Sequence, residues 1–134
     1  MASYVPTEEM AKNAEMALKV RESKPDSQKG MTAVGLARAR DIMNRRPLSE
    51  ETVRRMKAYF DRHEIDKQGS TWEEKGKGWQ AWHGWSGDAG RAWANRIVNM
   101  LNREQARGQY PHNYNDNNDD ENYRNYLYRK YIRR

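Results

Sequence analysis

The 134-residue chain has no cysteine, which excludes disulfide bonds, a catalytic thiol and thiolate-bound metal. Long apolar runs are also missing: no stretch approaches the roughly 18 residues that cross a bilayer, and none has the pattern of a signal peptide. We therefore expect a reducing compartment and no membrane contact. Apolar residues make up only 36% of the chain, against about 45–50% in average proteins when glycine is counted. This is enough for one small core and favours a binding or structural role over catalysis.

Strand signals are weak along the whole sequence. β-branched residues are scarce, whereas Ala, Met, Arg, Glu and Lys are plentiful, and this composition favours helix. Apolar spacing predicts helices at about residues 7–22, 32–44 and 49–64 and a helical region at about 79–107. The predicted N-caps of the first three are Thr7, Thr32 and Ser49, and residues 65–78, rich in glycine and charge, are predicted to form a loop.

Aromatic residues are concentrated, since all five tryptophans lie between residues 72 and 93. Each tryptophan buries about 150–250 Å², so this cluster can hold together a very polar chain. The predicted core residues are Trp79, Trp82, Trp85, Trp93, Phe60 and Ile97. A ligand cage or base-stacking platform built from the same rings is the alternative. The spacing from Trp82 to Ile97 favours the core.

Positive charge is in excess, with 25 Lys and Arg against 19 Asp and Glu, which gives a net charge of +6. Such an excess favours contact with nucleic acid, an acidic partner or an anionic surface. Residues 38–62 carry eight basic and four acidic residues in the order helix, arginine-bearing turn and capped helix, which resembles a helix-turn-helix in outline. The candidate contacts to phosphate or to an acidic partner are Arg38, Arg45, Arg46, Arg54, Arg55 and Lys57. The alternative interpretation is a solvated charged face.

The C-terminal residues 109–134 have a different composition from the rest. A low-complexity stretch rich in Asn and Asp, residues 109–121, precedes a segment that is acidic at its start and basic at its end, which predicts a short terminal helix. Tyrosine and arginine are enriched in protein interfaces, so we expect an extended arm that docks on a neighbouring subunit or a second copy of the chain. Its docking candidates are Tyr110, Tyr114, Tyr123, Tyr126, Leu127, Tyr128 and Tyr131.

Catalytic and metal-binding patterns are weak. The three histidines, His63, His83 and His112, are scattered and lack the spacing of a metal site, so neither a metal nor a cofactor is expected. Residues 84–88, Gly-Trp-Ser-Gly-Asp, resemble a nucleophile elbow only superficially, because the fifth residue is Asp and no strand precedes it. A small hydrolase centred on Ser86 and His83 is the least favoured alternative.

Three ordered segments carry a resemblance to a known family. They are residues 32–40 (Thr-Ala-Val-Gly-Leu-Ala-Arg-Ala-Arg), residues 48–56 (Leu-Ser-Glu-Glu-Thr-Val-Arg-Arg-Met) with 60–64, and residues 85–94 (Trp-Ser-Gly-Asp-Ala-Gly-Arg-Ala-Trp-Ala). They are similar to a small all-α module of tailed bacteriophages, which is found alone or appended to head-morphogenesis proteins such as portal and prohead-protease chains. The resemblance covers about residues 10–100, and Ser86 stands where the module has glycine. It carries over no catalytic residues and implies association with the phage particle.

The sequence therefore predicts an all-α bundle of four or five short helices in residues 1–108, followed by the arm. The expected function is that of a non-enzymatic phage structural protein, associated with the head or capsid in the virion and present in the host cytoplasm before assembly. Its expected partners are phage head or capsid proteins, with packaged DNA as a further contact. The alternative is a phage nucleic-acid-binding protein that uses the basic segment 38–62.

Overall fold

The computed structural model describes residues 2–109, and these form five α-helices and one pair of short strands. The helices are α1 Glu8–Ser23, α2 Ala33–Met43, α3 Glu50–His63, α4 Lys77–Gly84 and α5 Gly87–Gln109. The predicted all-α bundle is confirmed, although α5 is longer than expected, with 23 residues. The predicted arm lies beyond the described residues.

The first three helices begin where their caps predict. The side chains of Thr7, Thr32 and Ser49 each accept a hydrogen bond from the backbone N–H three residues later, at 3.2, 3.1 and 3.2 Å. A helix leaves its first four N–H groups without intrahelical partners, and each cap satisfies one of them. Local sequence therefore fixes these three helix starts.

Two short elements depart from the predicted all-helical pattern. The strands β1 Ser3–Tyr4 and β2 Leu48–Ser49 pair antiparallel, with Tyr4 opposite Leu48. Two-residue strands are too short for an alternating pattern to reveal them. The predicted loop 65–78 is also partly ordered, since Glu64–Gln68 form a 3-10 helix and α4 begins at Lys77.

The predicted helical region 79–107 is two helices separated by a turn. At this turn Ser86 has φ 93° and Gly87 has φ 70°, a region of backbone conformation that favours glycine. Ser86 is therefore a non-glycine residue in a backbone conformation that glycine adopts without strain. The Ser86 carbonyl accepts a hydrogen bond from the Asn13 side chain at 2.9 Å, which ties the turn to α1.

The chain divides into two compact units, Met1–Arg96 and Ile97–Arg134, with the division inside α5. In the first unit α1 packs against α2 and α4, and α3 packs against α4. Trp82 and Phe60 are fully buried there, with ring centroids 4.8 Å apart in an edge-to-face arrangement. The other predicted core tryptophans, Trp79, Trp85 and Trp93, are also buried.

In the second unit one predicted core residue needs correction. Ile97 is only half-buried, because the buried position on this turn of α5 is taken by its neighbour Val98. The correction concerns Ile97 alone, since Trp93 in the same helix is buried as predicted. The predicted domain boundary after residue 108 stays a prediction.

Gln80 connects α4 to the segment between α1 and α2. Its side chain is fully buried; Oε1 accepts a hydrogen bond from the Gly30 N–H at 2.7 Å, and Nε2 donates to the carbonyls of Gln28 at 3.1 Å and Lys75 at 3.0 Å. A Cβ at Gly30 would lie 2.7 Å from the Lys77 carbonyl oxygen. Glycine at this position therefore allows the two backbones to approach and forms one wall of the groove described next.

Candidate functional site

An open groove of about 730 Å³ lies in the first unit. Its walls are the segment that leads into α2, the second half of α3 and the start of α4. Ligand sites in proteins have volumes of about 300–1,000 Å³ and combine apolar walls with a few converging polar groups. The groove is therefore the candidate functional site in the described part of the chain.

Three rings form an aromatic stack along the groove. Tyr59 stacks on Trp85 with centroids 5.3 Å apart and on His63 with centroids 4.6 Å apart. Only 8% of Tyr59 and 9% of Trp85 remain exposed. A base-stacking platform presents an open ring face, and these two rings do not offer one.

The Tyr59 hydroxyl is buried and has no hydrogen-bond partner among the described residues. Burial raises the pKa of this phenol above its usual range; the nearby Asp66 carboxylate raises it further, and Arg62 opposes the change. A buried hydroxyl without a partner costs about 1–3 kcal/mol. The hydroxyl therefore stays protonated and keeps an unused donor beside the groove.

The groove is lined by more positive than negative side chains. Four cations, which we call the groove cations, line it: Lys29, Arg55, Arg62 and Lys77. Asp66 is the single carboxylate among the described lining residues, and it contacts His63 Nδ1 at 3.0 Å. The groove therefore has a positive electrostatic balance that favours an anionic group.

The groove cations differ in their partners. Lys29 pairs with Asp26 at 3.4 Å and Arg55 pairs with Glu51 at 2.7 Å, and both carboxylates are exposed and lie outside the groove lining. Within residues 2–109, no carboxylate lies within ion-pair distance of Arg62 or Lys77. Arg62 Nε donates a hydrogen bond to His63 Nε2 at 3.4 Å, so Lys77 and the remaining N–H groups of Arg62 are the groove donors most available to a ligand.

The basic residues singled out in the sequence lie mostly elsewhere. Of the six candidates only Arg55 lines the groove. The other five, which we call the paired cations, each contact a carboxylate of the same unit. The pairs are Arg38–Asp41 at 2.9 Å, Arg46–Asp41 at 2.9 Å, Arg54–Glu50 at 3.2 Å, Lys57–Asp61 at 2.7 Å and Arg45–Glu8 at 3.8 Å.

Sequence reasoning missed Lys29, Arg62 and Lys77 as parts of one site. They come from three different elements, and no local pattern shows that tertiary packing brings these elements together. The glycines beside two of the lysines are the available signal, because glycine between helical segments marks close backbone approach. The docking candidates of the arm, from Tyr110 to Tyr131, lie outside the described residues.

The serine and histidine of the hydrolase alternative do not form a catalytic pair in this structure. The buried Ser86 hydroxyl donates to the Trp85 carbonyl, and His83 Nδ1 contacts the Trp79 carbonyl at 2.9 Å. An activated nucleophile needs a hydrogen bond to its base, and Ser86 and His83 make their hydrogen bonds to the backbone instead. Burial lowers the pKa of His83, although its bond to Trp79 opposes this.

The described residues contain neither a metal-binding cluster nor a membrane-spanning helix. No group of three His, Asp or Glu side chains in residues 2–109 could hold a metal ion. None of the helices described is both long and apolar enough to cross a bilayer. In comparisons with known proteins, no family model, no curated protein and no solved structure matches this chain.

Proposed function

We propose that the chain is a non-enzymatic bacteriophage structural protein that associates with the head or capsid. In this proposal the helical body docks on another protein, and the tyrosine-rich arm strengthens the contact. The observation that carries the proposal is the pairing of Arg38, Arg45, Arg46, Arg54 and Lys57 with carboxylates of their own unit. These residues belong to the basic segment 38–62, on which the nucleic-acid alternative depends, so their pairing weakens that alternative.

The pairing disfavours a duplex-binding surface for an electrostatic reason. Binding to DNA gains its affinity from cations that neutralise phosphates and release counterions. Exposed ion pairs are worth only about 0–1 kcal/mol, so the arginines can leave their partners. Each departure leaves a carboxylate such as Asp41 or Glu50 near the phosphate backbone, where like charges repel. The same mixed surface is well suited to a protein partner, whose charges also have both signs.

The resemblance of three segments to the phage module supports the phage setting. The first segment, residues 32–40, and the second, residues 48–56 with 60–64, contain most of α2 and most of α3, and the third, residues 85–94, contains the start of α5. The similarity therefore lies in the elements that build the body rather than in the arm. This favours a role for the body in docking.

The direct test is the composition of the particle. Purified virions of the phage that encodes this chain are analysed by quantitative mass spectrometry, with the major capsid protein as the internal reference. We expect the chain at a fixed ratio to the capsid protein. Its absence from particles, while it is abundant in the infected cell, would contradict the proposal.

A second measurement separates the proposal from its alternative. The purified full-length chain is titrated with a duplex oligonucleotide at about 50 mM salt, where backbone-directed binding is strong. We expect no saturable binding. Duplex binding that falls steeply as salt rises, with a slope near −0.9 per phosphate neutralised, would support the nucleic-acid-binding alternative.

A further inference from the structure

We infer that the groove between α2, α3 and α4 binds a carboxylate-bearing peptide segment of a partner protein. The inference rests on the proposed function, because it names the surface through which the helical body docks. The occupant is an extended segment in which acidic side chains alternate with apolar ones. The charge of the groove and its apolar lining each support one part of this assignment.

The charge of the groove selects an anionic partner. The four groove cations face a single lining carboxylate, Asp66, and Arg62 and Lys77 have no carboxylate partner within the described residues. The exposed partners of Lys29 and Arg55 lie outside the groove lining, so a ligand carboxylate can replace them at little cost. Several separate carboxylates, rather than one anion, match cations that come from three different elements.

The start of α4 adds to the positive potential of the groove. Its first two residues, Lys77 and Gly78, line the groove, and its N-cap is Gly76, which has no side chain to accept from the first N–H groups. The positive end of the helix dipole favours negative charge there, and the Asp66 carboxylate already lies beside it, because a Cβ at Gly78 would lie 3.6 Å from Asp66 Oδ2. The ligand carboxylates are therefore assigned to the groove cations.

The apolar lining selects a peptide rather than a small anion. Met31, Val34, Ala58 and Ala81 line the groove together with Trp85, and Val34 remains 55% exposed. An inorganic anion leaves this surface in contact with water, whereas alternating side chains of an extended peptide cover it. The closed faces of Tyr59 and Trp85 disfavour a nucleobase.

The test is a titration of the full-length chain with an eight-residue synthetic peptide of alternating glutamate and leucine. Binding is followed by isothermal calorimetry at about 50 mM salt, where screening of surface charges is weak. We expect saturable binding to this peptide and none to a control peptide with glutamine in place of glutamate. Absence of binding, or equal binding of the control peptide, would overturn the inference.

Two double variants locate the binding surface. Arg62→Gln with Lys77→Gln removes two groove cations, and Arg38→Gln with Arg46→Gln removes two paired cations with the same change in net charge. We expect the first variant to bind the peptide about tenfold more weakly and the second to bind it as the unmodified chain does. Equal weakening in both variants would show nonspecific attraction and would overturn the assignment to the groove.

Competition experiments separate other occupants from an acidic peptide. Displacement of the peptide by inorganic phosphate at equal concentration would assign the groove to small anions, and displacement by duplex DNA would assign it to nucleic acid. Self-association of the chain that the peptide reverses in sedimentation would assign it to a second copy. Each of these three results would overturn the inference.

The groove and the proposed function can fail separately. If particles contain the chain at a fixed ratio but the peptide does not bind, the groove assignment is wrong and the structural role stands. If the peptide binds as expected but particles lack the chain, the groove assignment stands and the virion role is wrong.

Discussion

The paired cations and the groove cations are the same residue types on one small unit, yet their surroundings differ. The paired cations are neutralised by carboxylates that mostly lie three or four positions away on the same helix, as in Arg38–Asp41 and Arg54–Glu50. The groove cations come from three elements, and the groove lining contains one carboxylate. Lys29 and Arg55 pair with exposed carboxylates outside the lining, whereas Arg62 and Lys77 have no carboxylate partner within the described residues. Local counting of charges therefore identifies basic segments, whereas tertiary packing decides which cations remain available.

The two regions also differ in what holds them together. The paired cations depend on ion pairs at the surface, exposed or partly exposed, each worth about 0–1 kcal/mol. The groove depends on the buried hydrogen bonds of Gln80 and on the backbone approach at Gly30. Substitutions that break the buried contacts of the groove should therefore lower the free energy of unfolding more than substitutions that break the surface ion pairs.

The largest effect is expected for Gln80→Leu. The substitution keeps the volume of the side chain but leaves the Gly30 N–H and the carbonyls of Gln28 and Lys75 without this partner. Because each buried polar group without a partner costs about 1–3 kcal/mol, we expect a loss of about 3 kcal/mol in the free energy of unfolding, measured with urea.

The matched control for this substitution is Gln28→Leu. The Gln28 side chain is exposed, and only its backbone carbonyl contacts Gln80. Exposed substitutions change stability by about 0.5 kcal/mol or less. Equal urea midpoints for the two variants would show that the Gln80 hydrogen bonds do not hold this wall of the groove.

Two glycines that line the groove should respond to alanine with opposite signs. In Gly30→Ala the new methyl group lies 2.7 Å from the Lys77 carbonyl oxygen, so backbone must move, and we expect a loss of about 1–3 kcal/mol. In Gly35→Ala, within α2, the nearest atom lies at an ordinary 3.5 Å. Alanine stabilises a helix by about 0.5–1 kcal/mol relative to glycine. Thermal unfolding of both variants measures the difference, and a shift of the same sign would contradict the described wall.

Structural features that depend on residues close together in the sequence can be predicted from it, and features that depend on distant residues cannot. The caps Thr7, Thr32 and Ser49 act within one helical turn, and the buried tryptophans follow from spacing along a helix, so sequence analysis found both. The bond between Gly30 and Gln80 joins residues 50 positions apart, and no periodic pattern encodes it. A polar glutamine is also expected at the surface, so its burial is visible only in the folded chain.

As pH falls, the groove wall and the ion pairs of the paired cations should be weakened at different pH values. His83 is the titrating group of the wall, because it lies in α4. Its ring stacks on Trp79 with centroids 4.2 Å apart, and burial lowers its pKa from 6.5. The unfolded chain therefore binds a proton more readily, and stability is lost as pH falls below about 6.5, by at most about 1.4 kcal/mol per pH unit. The hydrogen bond from Lys57 lowers the pKa of Asp61, so this pair persists to lower pH.

The measurement compares urea unfolding at pH 7.5 and pH 5.5 for the unmodified chain and for His83→Asn. Asparagine keeps a donor for the Trp79 carbonyl but does not titrate in this range. We expect the variant to lose less stability than the unmodified chain between the two pH values. The same loss in both proteins would assign the pH dependence to other groups.

The smallest effect on stability, and the sharpest test of the comparison, is expected for Asp41→Asn with Glu50→Gln. This variant removes the carboxylate partners of Arg38, Arg46 and Arg54. Because every pair keeps some contact with solvent, we expect a loss of about 1 kcal/mol. If these carboxylates keep the basic segment from binding phosphate, the variant should acquire salt-dependent affinity for duplex DNA at about 50 mM salt.

The control is Glu9→Gln with Glu15→Gln, which changes the net charge by the same amount on α1. Equal duplex affinity in both variants would mean that pairing does not restrain the basic segment, and the distinction between the two sets of cations would fail.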